Sequence, residues 1–178
     1  MDDKGSTLVC LWGLSPMAHE DDAARAILTA FEMRRELMRL YNTTCNIGIS
    51  SGEMFSGVVG TSGGRKEFSV LGDVANLAAR IMYWPIKRKM KGMINVDLNT
   101  RTLASNFFSY KYVSHSEFKG KSISIPIFEP YELEEELSDI TKKHLHPGAF
   151  LKPHMNPMNL EPSTNNATKL KMVGSCVQ

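Results

Sequence analysis

No stretch of this sequence approaches the roughly 20 consecutive apolar residues that a helix needs to cross a bilayer. The N-terminus also lacks the charged, apolar and small-residue succession of a signal peptide. Both absences predict a soluble, cytoplasmic chain with no membrane span. Charge of one sign is scarce too: the formal net charge is +2, and no basic stripe interleaved with aromatics is present, so nucleic acid is not an expected partner. Cysteine is limited to Cys10, Cys45 and Cys176, an odd set without metal-ligand spacing. Two of them sit in apolar strand-like contexts and read as buried, reduced thiols. Most of the histidines lie towards the C-terminal end, and the lone pair His144 and His146 carries no metal signature of weight. The methionines read as packing.

What is present suffices for one domain with a sizeable core and a tail: 178 residues, 42% of them hydrophobic. Thr7 to Leu14 is an apolar run too short for a good helix and ends at Gly-Leu-Ser-Pro, which predicts a buried strand. From His19 to Leu40, apolar residues at Ala23, Ala24, Ile27, Leu28, Phe31 and Met38 face charges on the other side. That is an amphipathic helix with acids in its first turn. Asn46 to Ser51 and Glu53 to Val59 read as strands around Gly52. A second helix is expected from about Val74 to Tyr83, stopping before Pro85. Ile94 to Val96 is a short strand, Asn99 to Ala104 a short helix, and Tyr110 to Val113 and Ile127 to Tyr131 the final strands. This order predicts a ferredoxin-like α/β (α+β) sheet with helices on one face.

After Leu133 the pattern changes. Glu134, Glu135 and Glu136 form a charged edge, and His144 to Gln178 is rich in Pro, Asn, His and Met without periodicity. The chain therefore divides into a domain over 1–133 and an irregular or partner-bound tail over 134–178. The run from Lys87 to Lys91 is a basic insertion after the second helix, a solvated loop by default.

Residues Cys45 to Met82 are the most informative. Two β-prone runs flank a glycine-rich turn, and the second leads through Gly72 and Asp73 straight into the helix. On that helix Asn76 and Arg80 are four residues apart and share one face, while Val74, Leu77, Ala78 and Ile81 supply the apolar stripe. An amide and a guanidinium just beyond a strand end suit an anionic or nucleotide-like ligand in a shared cleft. The fixed-spacing set Ile47-Gly48-Ile49, Gly52, Gly57-Val58-Val59-Gly60, Phe68, Val70, Gly72, Asn76, Ala78 and Arg80 resembles the homology domain of class III adenylyl and guanylyl cyclases. Among these the resemblance is to the second cyclase half of the bicarbonate-responsive soluble adenylyl cyclases, over roughly Asp2 to Leu133.

The resemblance implies a ferredoxin-like nucleotidyl cyclase domain, N-terminally truncated, with an extended C-terminal tail. It implies that two halves pack head to tail, one giving metal carboxylates and the other the asparagine and arginine that orient ribose and stabilise the transition state. Asn76 and Arg80 match that second pair. Ser69 takes the position that reads the base, and Lys121, in a late Lys-Gly-Lys turn, the one that reaches the polyphosphate. The first strand that usually carries one metal aspartate has no counterpart here, and Ser6 follows Gly5 where the hairpin normally presents another. Asp2 and Asp3 sit on the wrong side of Gly5, and Asp73 reads as a helix N-cap. No metal ligand is thus assigned to this chain; magnesium or manganese would come only through a partner half.

Two functions follow. One is a second-half-like module that, with a complementary half, converts ATP to cyclic AMP and pyrophosphate, the chain alone being inactive. The other is a catalytically degenerate cyclase domain serving as a structural or nucleotide-sensing interaction module in a larger assembly. In both the partner is a complementary half or another subunit. The resemblance also implies a ciliary or flagellar axonemal setting.

Overall fold

Strand and helix propensities along the chain resolve, in the computed structural model, into ten elements over the described residues 6–14, 16–61, 63–117, 124–132 and 168–177. They are β1 (Ser6–Trp12), α1 (Asp22–Tyr41), β2 (Cys45–Gly60), β3 (Lys66–Leu71), α2 (Asp73–Ile86), β4 (Ile94–Val96), α3 (Leu98–Leu103), β5 (Phe108–Ser116), β6 (Ile125–Glu132) and β7 (Thr168–Val177). The strands form one mixed sheet in the order β1-β7-β2-β4-β6-β5, with β3 paired to the far half of β2. Among the described residues only β2 and β4 pair in parallel.

The period-two alternation of β2 sends its side chains to opposite faces. Ile47 and Ile49 join Ile94, Val96 and Phe128 beneath the alanine-rich face of α1, where Ala23, Ala24, Ala26, Ile27 and Ala30 are buried. Each fully buried isoleucine there contributes about 2 kcal/mol of transfer free energy. Gly48 and Gly52 point the other way and seat α2. A Cβ on Gly48 would lie 2.2 Å from the Ala78 carbonyl oxygen and 2.4 Å from the Met82 nitrogen, and one on Gly52 would lie 2.5 Å from Val74 Cγ2. The helices therefore cover both faces, α1 on one and α2 on the other, rather than one face as the element order suggested. Four residues of strand span about 13 Å and eight of helix about 12 Å, so Gly52 meets Val74 while Gly48 meets Ala78 and Met82, which allows the close approach.

Two further expectations are corrected. The strands expected on either side of Gly52 are one continuous 16-residue strand. Helix α2 does not stop before Pro85 but carries it in its last turn. Proline there forfeits only one intrahelical bond, and the chain closes with the Lys87 N–H donating to the Tyr83 carbonyl. Asp73 is the first helical residue, with Gly72 at the cap.

The largest departure concerns the C-terminal end. Thr168–Val177, within the stretch expected to be irregular, is a strand inserted between β1 and β2 and antiparallel to both. Its register sets Gly174 opposite Val9 on one side and Gly48 on the other. Since β1 and β2 run parallel to each other, joined by α1 and one strand apart, the slot between them demands an intervening strand. Leu170 and Met172 alternate with Lys169 and Lys171 at a strand period, a signal that the surrounding prolines obscured. The remainder of that stretch, residues 133–167, lies outside the described residues.

Candidate functional site

Helix α2 starts where β3 ends, and its burial decides which side chains remain available. Ala78, Ile81, Met82 and Trp84 are buried, whereas Asn76 is exposed and Arg80 half-buried. Among the described residues neither Asn76 nor Arg80 has a hydrogen-bond or ion-pair partner. The i, i+4 spacing keeps the amide and the guanidinium on the same side of a helix pinned to the sheet at Gly48 and Gly52. A pinned helix holds its donors in place before a ligand arrives, and preorganised donors stabilise developing negative charge better than mobile ones.

Ser69 lies half-buried on β3, paired across to Gly57. It is thus on the ribbon that precedes α2, while Asn76 and Arg80 are on the helix itself. Lys121, Asp2 and Asp3 lie outside the described residues. The outer half of β2 and the whole of β3 make a two-stranded ribbon that leaves the main sheet, with Phe55, Val58, Val59 and Leu71 exposed. Two-stranded ribbons are marginally stable alone in water, so such apolar exposure calls for a covering surface.

Among the described residues no three His, Cys, Asp or Glu side chains come together in a way that could hold a metal ion. Asp73 begins α2, and Asp97 is engaged elsewhere. Ser50 Oγ donates to Asp97 Oδ2 at 2.7 Å and the Thr100 N–H donates to its Oδ1 at 2.8 Å, so this buried carboxylate caps α3. Burial pushes its pKa above the ordinary aspartate value, against the opposing pull of these hydrogen bonds. Sequence reasoning passed over Asp97, although an aspartate three residues before Thr100 is a recognisable N-cap pattern. The donor set does not fit a divalent-ion site within the described part of this chain.

No family model matches the chain. It is 30% identical over 144 residues to adenylate cyclase type 10 of Oryctolagus cuniculus and 31% identical over 134 residues to that of Homo sapiens. These alignments take in 77% and 72% of the chain but span about 8% of either relative's length. Among solved structures it is similar to the adenylyl cyclase CyaB from P. aeruginosa, with TM-score 0.56 and 19% identity, covering 68% of this chain and 65% of that one. It is also similar to the guanylate cyclase domain of RhGC from Catenaria anguillulae in complex with GTP, with TM-score 0.55 and 22% identity over 66% of this chain and 64% of that one. The chain is thus similar in sequence to a part of adenylate cyclase type 10 and in fold to solved adenylyl and guanylyl cyclase domains.

Proposed function

We propose that this chain, homologous to part of adenylate cyclase type 10 and folded as a class III cyclase domain, serves as one half of a paired nucleotidyl cyclase site. It contributes Asn76 and Arg80, and its partner contributes the metal carboxylates; the reaction is conversion of ATP to cyclic AMP and pyrophosphate. The observation that carries the reading is the open face of α2, with both polar side chains placed and unpartnered among the described residues. Arg80 places a fixed charge where a pentavalent phosphorus would spread negative charge over its oxygens. Asn76 can both donate to and accept from ribose hydroxyls. Ser69 and Lys121 are assigned to base and polyphosphate in the same reading.

Magnesium or manganese belongs to the partner's side in this reading. The exposed ribbon of β2 and β3 is the surface on which the complementary half is expected to pack. A cytoplasmic, ciliary or flagellar location is part of this reading and rests on likeness alone.

The test pairs the purified chain with a class III half that retains its metal carboxylates and measures cyclic AMP formation from ATP with magnesium or manganese. The chain alone is expected to be silent and the pair active. Arg80→Ala should lower the pair's turnover by about 100-fold to 1,000-fold, the usual loss for one transition-state donor, with an unchanged melting temperature. Turnover that survives Arg80→Ala, alone or paired, would overturn the assignment.

A further inference from the structure

We infer that the turn following α2 is a docking site for an acidic peptide segment carrying one apolar anchor residue. Lys87, Arg88, Lys89 and Lys91 are all exposed within five residues. Among the described residues none of these cations has an acidic partner. A solvated loop would explain unpaired lysines, but this turn is not free to move as such a loop does. Asn46 Nδ2 donates to the Met90 carbonyl at 3.2 Å, and the Met93 N–H donates to Asn46 Oδ1 at 3.0 Å. From the other side Arg34 Nη1 donates to the Gly92 carbonyl at 2.9 Å, tying the turn to α1. Backbone bonds from Arg88, Lys89 and Met90 back to Pro85 and Ile86 close it, and Lys89 and Gly92 take left-handed φ values of 57° and 73°. Arg88 is stacked 4.0 Å from the centroid of the Trp84 ring. The cations are therefore displayed on a rigid frame, which lowers the ordering cost of binding.

Beside the frame lies a cavity of about 210 Å³ with Met38 and Ile86 as apolar walls and Asn42, Thr44 and Lys91 at its polar rim. The cavity is half open to solvent, and its volume exceeds the roughly 150 Å³ that takes up benzene in a closed apolar cavity, which is room for a leucine side chain. Phosphate-rich surfaces would use the charges and leave the cavity unfilled. An acidic segment with a single apolar side chain uses both, by charge complementarity to the lysines and burial between Met38 and Ile86. Lys87 lies seven residues beyond Arg80, about 10 Å along the same helix axis. This site is therefore separate from the nucleotide-facing residues and does not depend on the cyclase reading.

The experiment measures fluorescence anisotropy of a labelled EEELEEE peptide with the full chain in 50 mM and 150 mM salt, against EEEAEEE and KKKLKKK. EEELEEE should bind about fiftyfold more tightly than EEEAEEE, since three buried carbons separate the two anchors. KKKLKKK should not bind. The double variant Lys89→Glu/Lys91→Glu should weaken EEELEEE at least tenfold. Met38→Trp, which fills the cavity mouth, should erase the preference for leucine over alanine. Arg80→Ala should leave the affinity unchanged, separating this site from the proposed nucleotide site. Equal binding of the leucine and alanine peptides, or indifference to the lysine reversals, would overturn the inference. So would tighter, lysine-dependent binding to phosphatidylserine vesicles, which would assign the turn to a membrane surface.

Discussion

At the scale of single residues, two positions show how local chemistry is set by what lies across the sheet. Gly48 is needed for the approach of a backbone: any Cβ there would drive into the α2 carbonyl and amide groups at Ala78 and Met82. These atoms belong to a helix and cannot swing aside as a flexible side chain would. Gly48→Ala is expected to destabilise the chain by about 3 kcal/mol through overpacking, read as a shift in denaturant midpoint. Asp97 makes an opposite kind of prediction. Its folded pKa is raised, so within the interval between the ordinary aspartate value and the raised one the folded state binds more protons than the unfolded state. Stability from this group is then present at low pH and lost as pH rises through that interval. Asp97→Asn keeps an acceptor for the Thr100 N–H and removes the titration, so its stability-versus-pH curve should be flatter than the parent's over that interval. An unchanged slope in pH-dependent urea melts would count against the buried carboxylate as its source.

At the scale of elements, β7 determines whether β1 belongs to the sheet at all. Among the described residues β1 pairs only with β7, from Ser6 opposite Val177 to Trp12 opposite Lys171. Removing residues 168–177 should therefore release β1 and open the edge of β2, turning two paired strands into exposed edges. The expected result is a broad, low-temperature melt with loss of hydrogen-exchange protection in β1 and in the first half of β2. A milder probe is Ser175→Pro, placed opposite both Leu8 and Ile47, which deletes a ladder donor in an interior strand. It should lower Tm by about 10 °C, the equivalent of some 3 kcal/mol in a chain of this size. A sharp, unshifted transition after either change would mean that β7 contributes little to the fold.

At the scale of the whole molecule, the exposed ribbon distinguishes a self-sufficient domain from half of a pair. Phe55 is 49% exposed and Val58 66%, on the stretch where β2 pairs with β3 beyond the main sheet. Surface substitutions away from packing features usually alter stability by less than about 0.5 kcal/mol. Phe55→Asp and Val58→Asp should thus leave the melting temperature almost unchanged while weakening association with a complementary half at least tenfold. Sedimentation of the mixed halves would report it. An unaffected association constant would remove the ribbon from the interface.

Sequence by itself determined everything that depends on neighbours along the chain. The amphipathic periodicity of α1, the strands β4 and β6, and the face shared by Asn76 and Arg80 follow from spacings of two, three and four residues, whereas β1 is a strand as expected but not a buried one, with Leu8 and Val9 exposed. The spaced glycines were legible as a motif but not as a seat for α2, because their purpose lies in the backbone that crosses them. Tertiary structure alone decided that α1 and α2 take opposite faces and that Pro85 ends inside a helix. It also turned Lys87 to Lys91 from a loop into a fixed display, through contacts from Arg34 and Asn46 that lie some fifty residues away. The placement of β7 is the clearest case. Its alternation fits a strand, yet only the open slot between β1 and β2 supplies the backbone partners that make strand the lowest-energy state, and those partners are contributed by residues over a hundred positions earlier.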